Sequence, residues 1–253
     1  MKSKHRNILL KIGFLLLMVG FFALLLIAKI RREQTFKSDA KIKINHLDGN
    51  YLVDEQTILN TIKRKFPINQ KIDTRYLENL ENFLEINPQV KEAEAFIDNG
   101  GKLNVSITQR RPILRVITRS GLSFYVDKEG EKFPISKLYT AKVPVVTGIS
   151  AEENGSSGKI KGKFLLQALT VQNYVAEDNF LAALFGQMEV KQNGEILLIP
   201  RIGNFAIELG DANDLEEKFR NLKVFFGEGL KNVGWETYKI INIKFKGQII
   251  CTK

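Results

Sequence analysis

The chain has 253 residues, of which 44% are hydrophobic, and a formal net charge of +10 at pH 7. Its one cysteine, Cys251, excludes an internal disulfide, so any folded domain must be stabilised by its apolar core. Residues 1–37 carry eight Lys/Arg and one Glu, whereas residues 38–253 carry 30 basic and 27 acidic side chains, which excludes a strongly basic nucleic-acid-binding surface on the larger part.

The first predicted element is a membrane-spanning helix. Residues 12–28 contain no charge and are bracketed by Lys11 and Lys29, whose ammonium groups can reach the two interfaces of a bilayer. The basic residues around this segment suit anionic headgroups, so membrane lipid is an expected partner. The predicted parts are a cytoplasmic tail at 1–11, a transmembrane helix at 12–30 and a juxtamembrane linker at 31–39.

Two properties of this segment have alternatives. A cleaved signal peptide would also be apolar, but no pair of small residues three apart follows the apolar run. Basic residues lie on both sides of the segment in similar number, so charge alone leaves its orientation open.

Residues 40–111 have the pattern of one small α+β domain. Residues 41–44 alternate polar and apolar side chains, which predicts a short strand. An amphipathic helix is predicted from the N-cap residue Asp54 until Pro67, and a second follows the N-cap residue Asp73. The apolar residues that define the two helices are Ile58, Ile62 and Phe66, and then Leu77, Leu80 and Leu84.

A β-hairpin completes this domain. Apolar residues alternate in residues 90–97 and again in residues 103–108, and Asp98-Asn99-Gly100-Gly101 between them suits a tight turn. The predicted order of elements is therefore strand, helix, helix, strand, strand.

Residues 112–253 are predicted to form a mainly antiparallel β domain with flanking helices. One helix is expected over about residues 162–175, and another packs apolar residues between Leu215 and Phe226 and ends at Gly227 and Gly229. Strands are expected at residues 115–117, 124–126, 132–134, 143–148, 187–191, 196–200 and 205–209, with a turn at 127–130 and a polar loop at 150–158.

The sequence offers little catalytic material. His5 precedes the apolar segment, so His46 is the only imidazole after it, and one histidine with a terminal cysteine cannot build a catalytic triad or a histidine-rich zinc site. The glycine-rich residues 155–159 lack the spacing of a phosphate-binding P-loop. We therefore expect neither an enzyme nor a cofactor, and we predict a binding function.

The last segment is the best candidate for binding. Residues 238–250 alternate well enough to form two strands, or one strand broken near Gly247. An exposed edge strand offers unpaired N–H and C=O groups to which a partner can add another strand. An ordinary core strand is the alternative.

The order of several motifs is similar to that of one known family. The motifs are Asn87-Pro88-Gln89-Val90, the hairpin that ends in Leu103–Thr108, Gln109-Arg110-Arg111-Pro112, and the run from Phe124 to Phe133. Together they resemble the FtsQ/DivIB bacterial division proteins, over essentially the whole chain. The resemblance implies a short cytoplasmic tail, one span, a POTRA domain at 40–111 with β-α-α-β-β order, and a β domain at 112–253.

The resemblance also implies partners and a site. In this family the terminal strand region binds FtsB and FtsL, which are single-span coiled-coil proteins, and the POTRA hairpin, residues 90–108, helps to recruit the protein through other division proteins. The candidate partner-binding residues are Lys244, Phe245, Lys246, Gly247 and Ile249, with Phe245 as the preferred anchor. Gln109, Asn242 and Lys244 stand where the family usually has Glu, Asp and Arg.

The function that these observations predict is a non-enzymatic scaffold of the divisome that helps to control septal peptidoglycan synthesis. By resemblance it is a single-pass type II protein of the cytoplasmic membrane, with its C-terminal domain in the periplasm and enriched at the septum. The alternatives are another membrane-anchored POTRA adaptor, in envelope assembly or secretion, and a peptidoglycan-binding ectodomain.

Overall fold

The computed structural model describes residues 13–27, 40–46, 49, 51–66, 72–150 and 156–253. Their contacts divide the chain into two compact units. The first contains the described residues of Met1–Lys43, Glu55–Phe83 and Ala93–Ser106, and the second those of Ile44–Asp54, Leu84–Glu92 and Ile107–Lys253.

Residues 13–27 form helix α1, and all of its side chains are exposed. No helix in the described ranges combines the length and the hydropathy that a membrane crossing requires. The rest of the predicted span, residues 12 and 28–30, lies outside these ranges, as do the predicted tail and linker.

The β-α-α-β-β order predicted for residues 40–111 is confirmed. The elements are β1 (Ala40–Asn45), α2 (Glu55–Lys65), α3 (Thr74–Glu85), β2 (Val90–Ile97) and β3 (Leu103–Gln109), and the sheet has the strand order β1-β3-β2. Helix α2 buries Ile58 and Ile62, as its period of four predicts. The Asp73 carboxylate accepts a hydrogen bond from the Tyr76 N–H at 2.8 Å, which confirms it as the N-cap of α3.

The second unit contains a ten-stranded sheet with the order β13-β12-β11-β10-β9-β7-β4-β5-β6-β8. Its strands are β4 (Leu114–Thr118), β5 (Ser123–Val126), β6 (Glu131–Pro134), β7 (Val145–Ile149), β8 (Gly158–Lys159), β9 (Phe185–Val190), β10 (Ile196–Pro200), β11 (Ala206–Gly210), β12 (Ile240–Asn242) and β13 (Ile250–Thr252). Most neighbours are antiparallel, but β4 with β7, β7 with β9, and β11 with β12 are parallel.

The helical segments of this unit are α4 (Lys163–Ala176), α5 (Asn179–Leu184), α6 (Leu215–Val224), a π-helix (Phe225–Leu230) and α7 (Lys231–Val233). Alternate residues of β5 pack into different clusters. Phe124 and Val126 join the large core that includes Leu165 of α4 and Phe219 of α6. Tyr125 packs instead in a smaller cluster, with Leu52, Phe133 and Ala141. This alternation is the period of two of a β-strand, and both faces of β5 are buried.

The prediction that Gly227 and Gly229 end the helix is wrong, because the chain continues through the π-helix into α7. The π-helical turn lets two neighbouring phenylalanines pack. The ring of Phe226 stacks on that of Trp235, with centroids 5.3 Å apart and planes 12° apart, and Phe225 lies 6.2 Å from Tyr238. Packing of these rings explains why two glycines do not stop the helical path here.

A buried glutamine organises the second unit where its separate chain segments meet. The Gln109 side chain is fully buried, and its Oε1 accepts hydrogen bonds from the N–H groups of Leu52 and Val53 at 2.8 and 3.1 Å. Next to it, Arg110 Nη1 donates to the buried Asp127 Oδ2 at 2.6 Å, and Arg110 Nε donates to the carbonyl of Pro88 at 3.2 Å. Polar contacts between distant parts of the sequence therefore lie beside the apolar core.

We predict that Gln109→Leu lowers the free energy of unfolding by about 2–4 kcal/mol, because two buried backbone N–H groups lose their acceptor. The measurement is the denaturant midpoint of the full chain. Gln248→Leu is the control, since Gln248 is exposed, and it should change stability by less than about 0.5 kcal/mol. Equal midpoints for the two variants would contradict this assignment.

Candidate partner-binding site on the last two strands

The predicted site residues come together in the connection between β12 and β13. This connection faces the start of α6 across a shallow, open groove. Asp214 precedes α6 in a left-handed conformation, with φ of 50°, which aspartate tolerates better than most residues. The residues that line the groove are Asp214, Glu217, Lys218, Asn221 and each residue from Ile243 to Ile249.

Three of the five predicted residues are open to solvent. Phe245 is 48% exposed, and Lys246 and Gly247 are exposed beside it. Lys246 Nζ lies 3.8 Å from Glu217 Oε2, at the outer limit of an ion pair. Ile249 differs from these three, because it is half-buried and packs against the large core.

Lys244 is held by the protein itself. Its Nζ lies 3.3 Å from Glu195 Oε1 and 3.4 Å from Glu208 Oε2, and its side chain is only 24% exposed. Glu208 also accepts from Lys191 Nζ at 2.8 Å and from the Asn242 amide at 2.8 Å. This polar network joins the end of β12 to β11, to β9 and to the turn before β10.

The network lowers the pKa values of both of its carboxyl groups. The hydrogen bond from Lys191, reinforced by the charges of Lys191 and Lys244, holds the pKa of Glu208 below its usual value despite partial burial. Hydrogen bonds from Asn193 and then from Lys244 do the same for the pKa of Glu195. Both groups are therefore stabilised in the charged form.

Gly210, at the end of β11, lies under the stem of Lys244. Its φ is +77°, and a Cβ atom at this position would lie 2.7 Å from Lys244 Cγ. A larger residue would therefore strain the backbone and displace the lysine.

Strand β13 is an edge strand, because β12 is its only neighbour in the described sheet. The two strands are antiparallel, with Ile241 opposite Cys251 and Asn242 opposite Ile250. Ile250 is 45% exposed, whereas Cys251 is half-buried, and desolvation raises the pKa of its thiol. A raised pKa reduces the reactive thiolate, so Cys251 has the character of a packing residue.

Comparison with known proteins identifies the family of this arrangement. Residues 111–252 match the model described as FtsQ/DivIB, C-terminal related, and residues 38–108 match a POTRA-like domain. The chain belongs to the FtsQ/DivIB family. It is 26% identical over 174 residues to the Cell division protein FtsQ of Salinibacter ruber (strain DSM 13855 / M31), an alignment that covers 64% of this chain and 64% of that protein.

Two departures from the FtsQ/DivIB pattern have a structural reason. The amide of Asn242 donates to Glu208, and its Oδ1 accepts from the Lys244 N–H at 3.0 Å. An aspartate could only accept, and it would place a second negative charge beside Glu208. With its single ammonium group, Lys244 reaches both Glu195, in the turn before β10, and Glu208, on β11.

Sequence reasoning missed the acidic residues of this candidate site. Glu195 and Glu208 lie 49 and 36 positions before Lys244, and nothing in the local pattern connects them to it. The remaining histidine plays no part here. His46 is half-buried, and its ring centroid lies 4.6 Å from that of Tyr51.

We expect Lys244→Met to lower the free energy of unfolding by about 1–2 kcal/mol, because two partly buried carboxylates lose a cation. Lys246→Met is the matched control from the same connection, and its exposed side chain should contribute less than about 0.5 kcal/mol. Chemical unfolding of the two variants beside the wild type measures the difference. A cost for Lys246→Met as large as that for Lys244→Met would contradict the structural role of Lys244.

The network also predicts a pH dependence. Because the folded-state pKa of Glu208 is lowered, its stabilising contribution is complete above the unfolded value of about 4.3 and is lost as the pH falls through the folded pKa. In thermal unfolding at decreasing pH, Glu208→Gln should therefore lose less stability below about pH 4 than the wild type does. Parallel profiles for the two proteins would show that the network adds no pH dependence.

Proposed function

We propose that this chain is a membrane-tethered, non-catalytic scaffold of the bacterial division machinery. Membership of the FtsQ/DivIB family supports the proposal, and the Salinibacter ruber relative carries the name of a cell division protein. One observation supports the proposal most directly. The edge strand β13 and the exposed aromatic residue Phe245 lie together at one corner of the β sheet.

The partner surface consists of the β13 edge and the exposed part of the connection before it. An extended partner segment gains main-chain hydrogen bonds by adding to an edge strand, and side-chain contacts then supply specificity. Phe245, Lys246 and Gly247 supply those contacts in this proposal. Lys244 and Ile249 position them, because the first is held by Glu195 and Glu208 and the second packs on the core.

The occupant of this surface is an FtsB- or FtsL-like single-span coiled-coil protein. This part of the proposal rests on the family resemblance, in which the terminal strand region is the docking region of these proteins. Other divisome proteins bind through the POTRA-like domain, residues 40–111, while residues 112–253 form the β domain.

A single-pass type II arrangement completes the proposal. Residues 12–30 anchor the chain in the cytoplasmic membrane, and residues 40–253 lie in the periplasm at the septum. Residues 12–28 carry no charge, and every side chain of α1 is free of contacts that would bury it in the protein. The apolar surface of this helix is therefore available to lipid.

The test is co-purification of partners with the full chain in mild detergent, from the cells that produce it. Phe245→Glu should lose the single-span coiled-coil partners by at least tenfold, because a charge replaces the exposed aromatic anchor. Val233→Glu is the matched control, since Val233 is 49% exposed on the same unit, and it should retain them. Circular dichroism establishes that both variants are folded.

The possible results separate the site from the function. Retention of the partners by Phe245→Glu would place the site elsewhere and leave the scaffold function standing. Absence of division proteins from the wild-type sample would refute the scaffold function itself.

A further inference from the structure

The three-stranded sheet has an edge strand, β2, with a capped backbone. Its order β1-β3-β2 leaves β2 with β3 as its only neighbour in the described sheet. The carboxylate of Glu81, on α3, accepts a hydrogen bond from the Ala95 N–H at 2.6 Å. A side chain of a helix thus occupies a main-chain donor of an edge strand.

The Ala95 N–H is the type of donor that an added strand would use. Successive N–H groups of a strand point alternately to its two sides, and Asp98 at the hairpin end donates to Lys102 across the turn. Ala95, three positions earlier, therefore points away from β3. Because its N–H is bound to Glu81, a new strand cannot pair at this position until the carboxylate moves.

The adjoining surface of β2 would favour association if its backbone were open. Phe96 is 53% exposed and Ile97 is 36% exposed at the end of an eight-residue strand. Long edge strands with exposed apolar residues are sites of edge-to-edge pairing, and natural proteins protect them with charges or coverings.

The opposite edge of the same sheet has complementary charge. Strand β1 exposes Lys41 and Lys43 at alternate positions, whereas β2 exposes Glu94 beside Ala95. Pairing of β1 of one copy with β2 of another would place opposite charges on neighbouring strands. Two different edges would meet in such a contact, so each copy would still have a free edge for the next, and a ring or an open chain of copies would form.

We propose that β2 is a latent strand-addition site for β1 of a second copy of this chain, and that Glu81 keeps it closed. Glu81 thereby prevents self-assembly through the POTRA-like domain. The inference is independent of the partner surface on β13, since it concerns a different sheet and a different occupant.

The first test compares three variants of the full chain in detergent by sedimentation velocity. Glu81→Ala should form concentration-dependent oligomers larger than those of the wild type. Glu81→Gln keeps a side-chain carbonyl that can accept from Ala95, and Glu78→Ala removes an exposed carboxylate from the same helix, so both should sediment like the wild type. A folded Glu81→Ala chain that also sediments like the wild type would overturn the proposal.

Charge reversal identifies the occupant. In the Glu81→Ala background, Lys41→Glu with Lys43→Glu should abolish the oligomers, and further addition of Glu94→Lys should restore them. Oligomers that are insensitive to these reversals would refute β1 as the occupant.

Hydrogen exchange tests the hydrogen bond between Ala95 and Glu81 in the wild type, so this test does not require a variant to fold. In the wild type the Ala95 amide should exchange at least tenfold more slowly than an unprotected amide, because its hydrogen is bound to Glu81. Exchange of the Ala95 amide at the unprotected rate would show that Glu81 does not close β2, and it would refute the proposal.

Discussion

The parallel pairing of β11 with β12 is the constraint on which the candidate site depends. Two adjacent parallel strands cannot be joined by a tight turn, so the chain must leave the sheet and return in the same direction. In this protein the connection is α6, the π-helix and α7, which bury Phe219, Leu222 and Phe226 in the main core. The start of α6 therefore lies beside the end of β12, and the groove forms between them.

Strands β12 and β13 are held in place by charged side chains as well as by strand pairing. Strands β12 and β13 have only three residues each, and short strands at an edge are weakly held. Lys244, Glu195, Glu208 and Asn242 add polar contacts to three neighbouring parts of the sheet. In the proposed function, a rigid base of this kind would reduce the ordering cost of binding at Phe245, because the connection is positioned before a partner arrives.

The two sheets of this FtsQ/DivIB-family chain present their edges differently. Glu81 binds the Ala95 N–H of β2, whereas within the described residues no side chain is hydrogen-bonded to the backbone of β13. A protein that recruits partners by strand addition must leave one edge open, and each further open edge favours self-association. Closing β2 while leaving β13 open is consistent with a scaffold that binds selected proteins.

The amino-acid sequence determined the local structure and the family. Periodicity, caps and turns predict the β-α-α-β-β order, and Asp73 acts as the expected N-cap, because these features depend on residues a few positions apart. The same local rules failed at Gly227 and Gly229, where packing against Trp235 and Tyr238 carries the helix onward. Only the tertiary structure decided the role of Lys244, the capping of Ala95 by Glu81 and the edge position of β13. Each of these depends on contacts between residues far apart in the chain, which strand order and packing create and local sequence does not encode.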